Sequence, residues 1–216
     1  MYKDSKIGFK VERNFLSEKD REKLIEEITS SEYLVRNVRE MWVKEQNLYG
    51  DAFSIIFKKE FIGEVYEKFP SLETFFSKII YDHCNIFYFC AMSLSEACYI
   101  PKHFDGDLLD SYNLLSGKEV NIPCPVDLPM PFCSDVYYAH IPESMEGGTL
   151  KVYGLPPSDV DIIPESNMLV EFGEYEHEVS EINNSSGEKR LSLVLLQNKY
   201  LNFQREFFPD CLFSKG

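Results

Sequence analysis

The pattern of apolar and polar positions changes character near residue 84. Residues 7–14 alternate, with Ile7, Phe9 and Val11 set against Lys6, Lys10 and Glu12, which predicts an early strand. Ser17 then comes after Leu16 and stands three residues before an acid, the signature of a capped helix start with a staple. That helix is predicted to run to about residue 30, with Leu24, Ile25 and Ile28 on its buried side. A short strand is predicted over 51–58, and two helices over 60–69 and 71–84, broken at Pro70. Their stripes are Phe61, Val65 and Phe69, then Leu72, Phe75, Phe76, Ile79 and Ile80, suited to packing on the outside of a sheet. From residue 84 onward short β-type runs cover 85–93, 97–103, 135–142, 148–154, 168–173, 176–182 and 190–198. Turn signals at 146–148, 156–158 and 183–187 separate them. Seven or eight short strands in succession predict a sandwich or jelly roll, with room for a pocket between its sheets.

Two stretches do not fit this pattern. Residues 33–50 hold Trp42, the only Trp, and read either as a surface helix and loop or as a lid. Residues 106–134 carry Pro123, Pro125, Pro129 and Pro131 and are expected to loop over one mouth of the pocket. Asp107 and Asp110 in the same stretch read as a solvated acidic turn, with contact to a cationic substrate as the alternative.

Length and charge narrow the function. A chain of 216 residues fits a single domain, with residues 1–83 as strand and supporting helices and 84–200 as the β core. The formal net charge of −14 provides no basic stripe for a nucleic-acid backbone or an anionic membrane surface. Residues 1–10 are charged and read as no leader, and no apolar run approaches the ~20 residues of a membrane span. The six Cys form no C-x-x-C pair, so a zinc framework is not indicated and reduced thiols in a cytoplasmic protein are expected.

His103 and Asp105 stand two residues apart at the end of a predicted strand. In an extended strand such side chains share a face. An imidazole and a carboxylate together cover one edge of a metal ion, and two His with one carboxylate on one face is the pattern of non-haem Fe(II) oxygenases. A third ligand has to come from another strand. His83 comes too early; His177 and His140 both sit in strand-like runs, and His177 is favoured for the Arg-x-Ser run downstream of it. In that run Arg190 and Ser192 alternate onto one strand face, with Leu191, Leu193 and Leu195 on the other. A buried guanidinium is costly alone. A dicarboxylate would relieve that cost, bound bidentately by the fork with a hydroxyl adding a bond, while its other end chelates the metal.

The ordered set His103-x-Asp105, Gly147-Gly148-Thr149-Leu150, His177-x-Val179, then Gly187 with Arg190-x-Ser192 resembles the Fe(II)/2-oxoglutarate-dependent dioxygenases, in their prolyl 4-hydroxylase-like branch. The resemblance covers most of the chain and is best over 85–198. It implies an α+β fold with a double-stranded β-helix (jelly-roll, cupin-like) core and N-terminal helices packed on one sheet. It implies His103, Asp105 and His177 as iron ligands, and Arg190 with Ser192 at the distal carboxylate of 2-oxoglutarate. A tyrosine near the first core strand often joins them, here Tyr88 or Tyr99, with Tyr88 the better placed. Fe(II), 2-oxoglutarate and O2 are the implied cofactor and co-substrates, with ascorbate as an accessory reductant. His177 and Arg190 are thirteen residues apart, a few more than the family's usual spacing, which keeps Lys189 in play as an alternative carboxylate partner. Asp105 is a carboxylate rather than the small residue of related halogenases, which favours hydroxylation. The expected substrate is a small molecule carrying an aliphatic C–H, such as a free or carrier-linked amino acid. A peptidyl (prolyl-type) hydroxylase, a non-catalytic metal-binding jelly roll and a metal-dependent hydrolase stay open, as do desaturation or cyclisation and the oligomeric state.

Overall fold

The computed structural model describes residues 8–36, 50–106, 108–117 and 131–215. In chain order its first half holds β1 (Lys10–Arg13), α1 (Glu18–Thr29), β2 (Val35–Arg36), β3 (Gly50–Lys58), a 3-10 turn (Lys59–Phe61), α2 (Ile62–Lys68), α3 (Ser71–Ile79), β4 (Ile86–Leu94), β5 (Ile100–His103) and α4 (Leu108–Ser116). The second half holds β6 (Cys133–His140), β7 (Glu146–Gly147), β8 (Leu150–Val152), β9 (Val160–Ile162), β10 (Met168–Phe172), β11 (His177–Val179), β12 (Ile182–Asn183), β13 (Arg190–Asn198), α5 (Asn202–Arg205) and β14 (Cys211–Lys215).

Local signals account for several of these boundaries. Ser17 caps α1 by accepting from the Asp20 amide, while its own hydroxyl donates to the Asp20 carboxylate. Pro70 separates α2 from α3, because its ring cannot continue a helix through the preceding turn. α3 ends at Ile79, five residues short of the predicted limit, and 80–85 turn into β4.

The strands form two facing antiparallel sheets. The larger runs β1-β10-β6-β13-β4-β3-β14, with β2 paired to β3; the smaller runs β5-β11-β8-β9. Successive strands from β4 to β6 and from β9 to β11 switch between the sheets, so residues distant in sequence become neighbours. β7 and β12 form a separate ribbon. β9 and β14, which the apolar pattern did not single out, complete one edge of each sheet.

Two apolar layers explain the near-continuous hydrophobic runs of the central strands, which are buried on both faces. On the outer face, Leu24 and Ile28 of α1 and Leu72, Phe75 and Phe76 of α3 pack against Phe87, Phe89, Tyr137, Leu191, Leu193 and Leu195. On the inner face, Val136 and Tyr138 meet Leu150, Val152 and Val179 of the smaller sheet. The expected loop over 106–134 begins instead with α4, whose Leu108 is buried against Tyr88, Leu196 and Tyr200. The remainder of that insert, Asp107 and most of 33–50 with Trp42 lie outside the described residues, as does the side chain of Asp110. Among the described residues no helix is long and apolar enough to cross a membrane.

Candidate active site

β5 and β11 pair antiparallel in the smaller sheet, and their register sets His103 directly opposite His177. Opposed residues project from the same face. The two imidazole centroids are therefore 4.3 Å apart. His103 Nδ1 lies 2.8 Å from the Pro101 carbonyl and His177 Nδ1 3.0 Å from the Tyr175 carbonyl. A carbonyl only accepts, so each Nδ1 carries a proton, and Nε2 is the nitrogen turned toward Asp105. Phe172 packs edge-on against His177 at 4.9 Å.

Asp105 completes the cluster from beyond the end of β5, in irregular backbone rather than in the extended strand anticipated for it. Its Oδ1 is 3.8 Å from His103 Nε2 and 3.7 Å from His177 Nε2. Its Oδ2 accepts from the hydroxyl of Ser134, on β6 of the facing sheet. One nitrogen or oxygen from each of the three residues lies within 4.8 Å of the others, a spacing compatible with a shared ion. Burial, and then the neighbouring His177, hold the His103 imidazole below its ordinary value, favouring the neutral form that a metal needs.

The same cavity, about 380 Å³, is lined by His103, Asp105, His177 and Arg190 together with Tyr88 and Ser54. Arg190 opens β13 and is only 2% exposed. Its Nε donates to Ser192 Oγ at 2.8 Å and its Nη1 to the Gly148 carbonyl at 2.9 Å, while the guanidinium rests 4.8 Å from the centroid of Tyr138. No carboxylate among the described residues pairs with it, and burial pushes its pKa down. Gly147 and Gly148 take φ of +72° and +61°. A Cβ on Gly148 would stand 2.9 Å from Arg190 Nη1, so Gly148 clears the space that the guanidinium occupies, whereas a Cβ on Gly147 would run into the Glu181 carbonyl.

Tyr88 and Tyr99 both line the cavity, and the Tyr88 hydroxyl is 3.0 Å from Ser54 Oγ. Ser192 is buried against Arg190 and is not among the residues lining the cavity, because its Oγ is turned onto Nε of the arginine. Lys189 precedes β13 and does not line the cavity; it pairs with Asp51, a carboxylate at the cavity wall. His140 ends β6 outside the cavity, and His83 is exposed against Phe132. Ser54, Ser134 and Tyr138 carried no motif. Only strand alternation, with Ser134, Val136 and Tyr138 on the inner face of β6, could have pointed to the last two.

No protein-family profile matches the chain, and a search of curated proteins finds no match. Solved structures do share its fold. A Pseudomonas putida prolyl-4-hydroxylase superposes with TM-score 0.52 at 17% identity, over 89% of this chain and 93% of that one. A Trichoplax adhaerens prolyl hydroxylase, in complex with a hypoxia inducible factor oxygen degradation domain peptide fragment, gives 0.52 at 13% over 89% and 84%. A Burkholderia pseudomallei oxidoreductase of the 2OG-Fe(II) oxygenase family gives 0.52 at 11% over 89% and 85%. At such identities the likeness establishes the architecture, and the site has to speak for the chemistry.

Proposed function

We propose that this chain is an Fe(II)/2-oxoglutarate-dependent oxygenase built on a double-stranded β-helix. His103, Asp105 and His177 would hold the iron, and Arg190 would receive the distal carboxylate of 2-oxoglutarate. The observation that carries this reading is a pair of features in one cavity: three convergent donors, and a buried guanidinium with no carboxylate partner among the described residues. A purely structural metal site explains the first and leaves the second as a cost without a return. The donors suit a ferrous ion, being two imidazoles and one carboxylate with further positions left for small ligands. Ser192 would act by orienting Arg190, and Tyr88 would supply a hydroxyl toward the same carboxylate.

Iron bound here would couple oxidative decarboxylation of 2-oxoglutarate by O2 to oxidation of an aliphatic C–H. The chain's own residues have simpler duties. Arg190 and the metal ligands fix the two ends of the keto-diacid, and the apolar walls from Val136, Leu150, Val179 and Val194 exclude water. Retention of Asp105 supports hydroxylation as the outcome. For the substrate we favour a small molecule, such as a free or carrier-linked amino acid. A peptidyl substrate is the second reading, supported by the peptide held in the Trichoplax adhaerens structure.

The test is anaerobic titration of the purified protein with Fe(II) and then 2-oxoglutarate. A visible metal-to-ligand charge-transfer band should appear, succeeded on admitting O2 by succinate. Protein that shows neither, with ascorbate present and across a broad substrate panel, would sink the proposal.

A further inference from the structure

Asp105 is the least constrained of the three convergent residues. His103 and His177 stand on paired strands and each is tied to a backbone carbonyl. Asp105 lies past the end of β5, just before Gly106, where no ladder fixes its backbone. The terminal torsion of an aspartate is broad and nearly two-fold, so packing alone does not decide which oxygen faces the imidazoles.

Among the described residues one group does decide it. Ser134 is 3% exposed and sits on β6, which is paired on both sides: Ser134 opposes Phe172 of β10 and Leu196 of β13. Its hydroxyl reaches across from the larger sheet and donates to Asp105 Oδ2. The two oxygens thus have separate partners, Oδ2 on the hydroxyl and Oδ1 toward both imidazole Nε2 atoms. Cys133 and Asp135 on either side of it point to the opposite, helix-covered face, so within this stretch of β6 Ser134 is placed for the task.

We propose that Ser134 is a positioning residue for the metal centre, holding Asp105 so that it offers a single oxygen. The inference rests on the metal-binding reading given above. Its chemical logic is that a carboxylate using both oxygens would fill a coordination position that a two-oxygen chelator and a gas need between them. A hydrogen bond on Oδ2 opposes that mode and holds Oδ1 in place before any ion arrives, and partners of this kind typically govern about 10–100-fold in metal affinity.

The experiment uses the full chain and Mn(II), with free ion read by electron paramagnetic resonance and no co-substrate present. Ser134→Thr and Ser134→Val have nearly the same shape and differ in the hydroxyl. The Thr variant should bind Mn(II) within about three-fold of wild type, and the Val variant and Ser134→Ala about 10–100-fold more weakly. Melting temperatures of the Thr and Val forms should agree, which separates positioning from a general loss of fold. Cobalt(II) absorption should also differ between the two, reporting a changed coordination number. A Val variant that binds as tightly as the Thr variant overturns the role assigned to Ser134. Wild-type protein that binds no Mn(II), with His103→Ala no different from it, overturns the metal centre itself and this inference with it.

Discussion

Replacing Arg190 with Met separates the cost of a buried cation from its use. The guanidinium is 2% exposed, donates two hydrogen bonds, to Ser192 and Gly148, and meets no carboxylate among the described residues. Losing those bonds costs about 1 kcal/mol each. Exchanging a poorly compensated buried charge for an apolar chain returns roughly 1–4 kcal/mol. The ligand-free variant should therefore fall between ~1 kcal/mol less and ~2 kcal/mol more stable than wild type on these two figures. Binding should move the other way. At a 2-oxoglutarate concentration of about 100 Kd the wild type gains ~2.7 kcal/mol. For a chain of this size that corresponds to a rise in Tm of roughly 5–10 °C. Removing one partner of a buried charge pair costs about 3–5 kcal/mol, or more than a hundred-fold in affinity. At the same ligand concentration the variant would then gain under ~0.4 kcal/mol, a shift of about 1 °C. The assay is thermal melting with Mn(II) in place of Fe(II), with and without 2-oxoglutarate. A variant that melts several degrees lower yet keeps a ligand-dependent shift of about 5 °C would refute the reasoning.

Other consequences are as concrete. His177→Ala should abolish Mn(II) binding, whereas His140→Ala, outside the cavity, should leave it unchanged; equilibrium dialysis reads both. Gly148→Ala puts a side chain at φ +61° and a Cβ 2.9 Å from Arg190 Nη1, so it should cost about 1–2 kcal/mol of stability and raise the 2-oxoglutarate KM. Burial raises the Asp135 carboxyl from 3.8 to about 7, with Glu171 adding to the effect. The folded state then holds a proton that the unfolded chain releases, so this residue's contribution to stability is full below pH 4 and lost as pH rises to about 7. The span is worth on the order of 4 kcal/mol. Denaturant titrations should show Asp135→Asn gaining on wild type between about pH 4 and 7, and an equal pH slope in both would contradict the shift.

Much of the architecture was legible because the chain writes it in short range. The Ser17 cap, the Pro70 break and the alternation of Arg190 and Ser192 with Leu191 and Leu193 are each decided by neighbours within four residues. The edge strands β9 and β14 escaped notice because three to five residues, half-buried and paired on one side, carry little periodicity. α4 was hidden by the proline content of the segment behind it and by its own Asp, Ser and Asn, although its leucines are good helix formers and Leu108 finds buried partners.

The site divides in the same way. The sequence alone offered residue types suited to chelating a metal and receiving a carboxylate; spacing within one strand set Arg190 and Ser192 on a shared face, whereas Asp105 joins His103 from beyond the end of β5. It left His140 beside His177 and Lys189 beside Arg190. Only the tertiary structure separated those pairs: the β5–β11 register put His177 across from His103, and Asp51 took up Lys189 while Arg190 turned into the cavity. The groups that hold the site in shape, Ser134 on Asp105 and the Gly148 carbonyl on Arg190, act across 29 and 42 residues of chain. Contacts at such separations exist only once two sheets have closed on each other, so no local pattern could announce them.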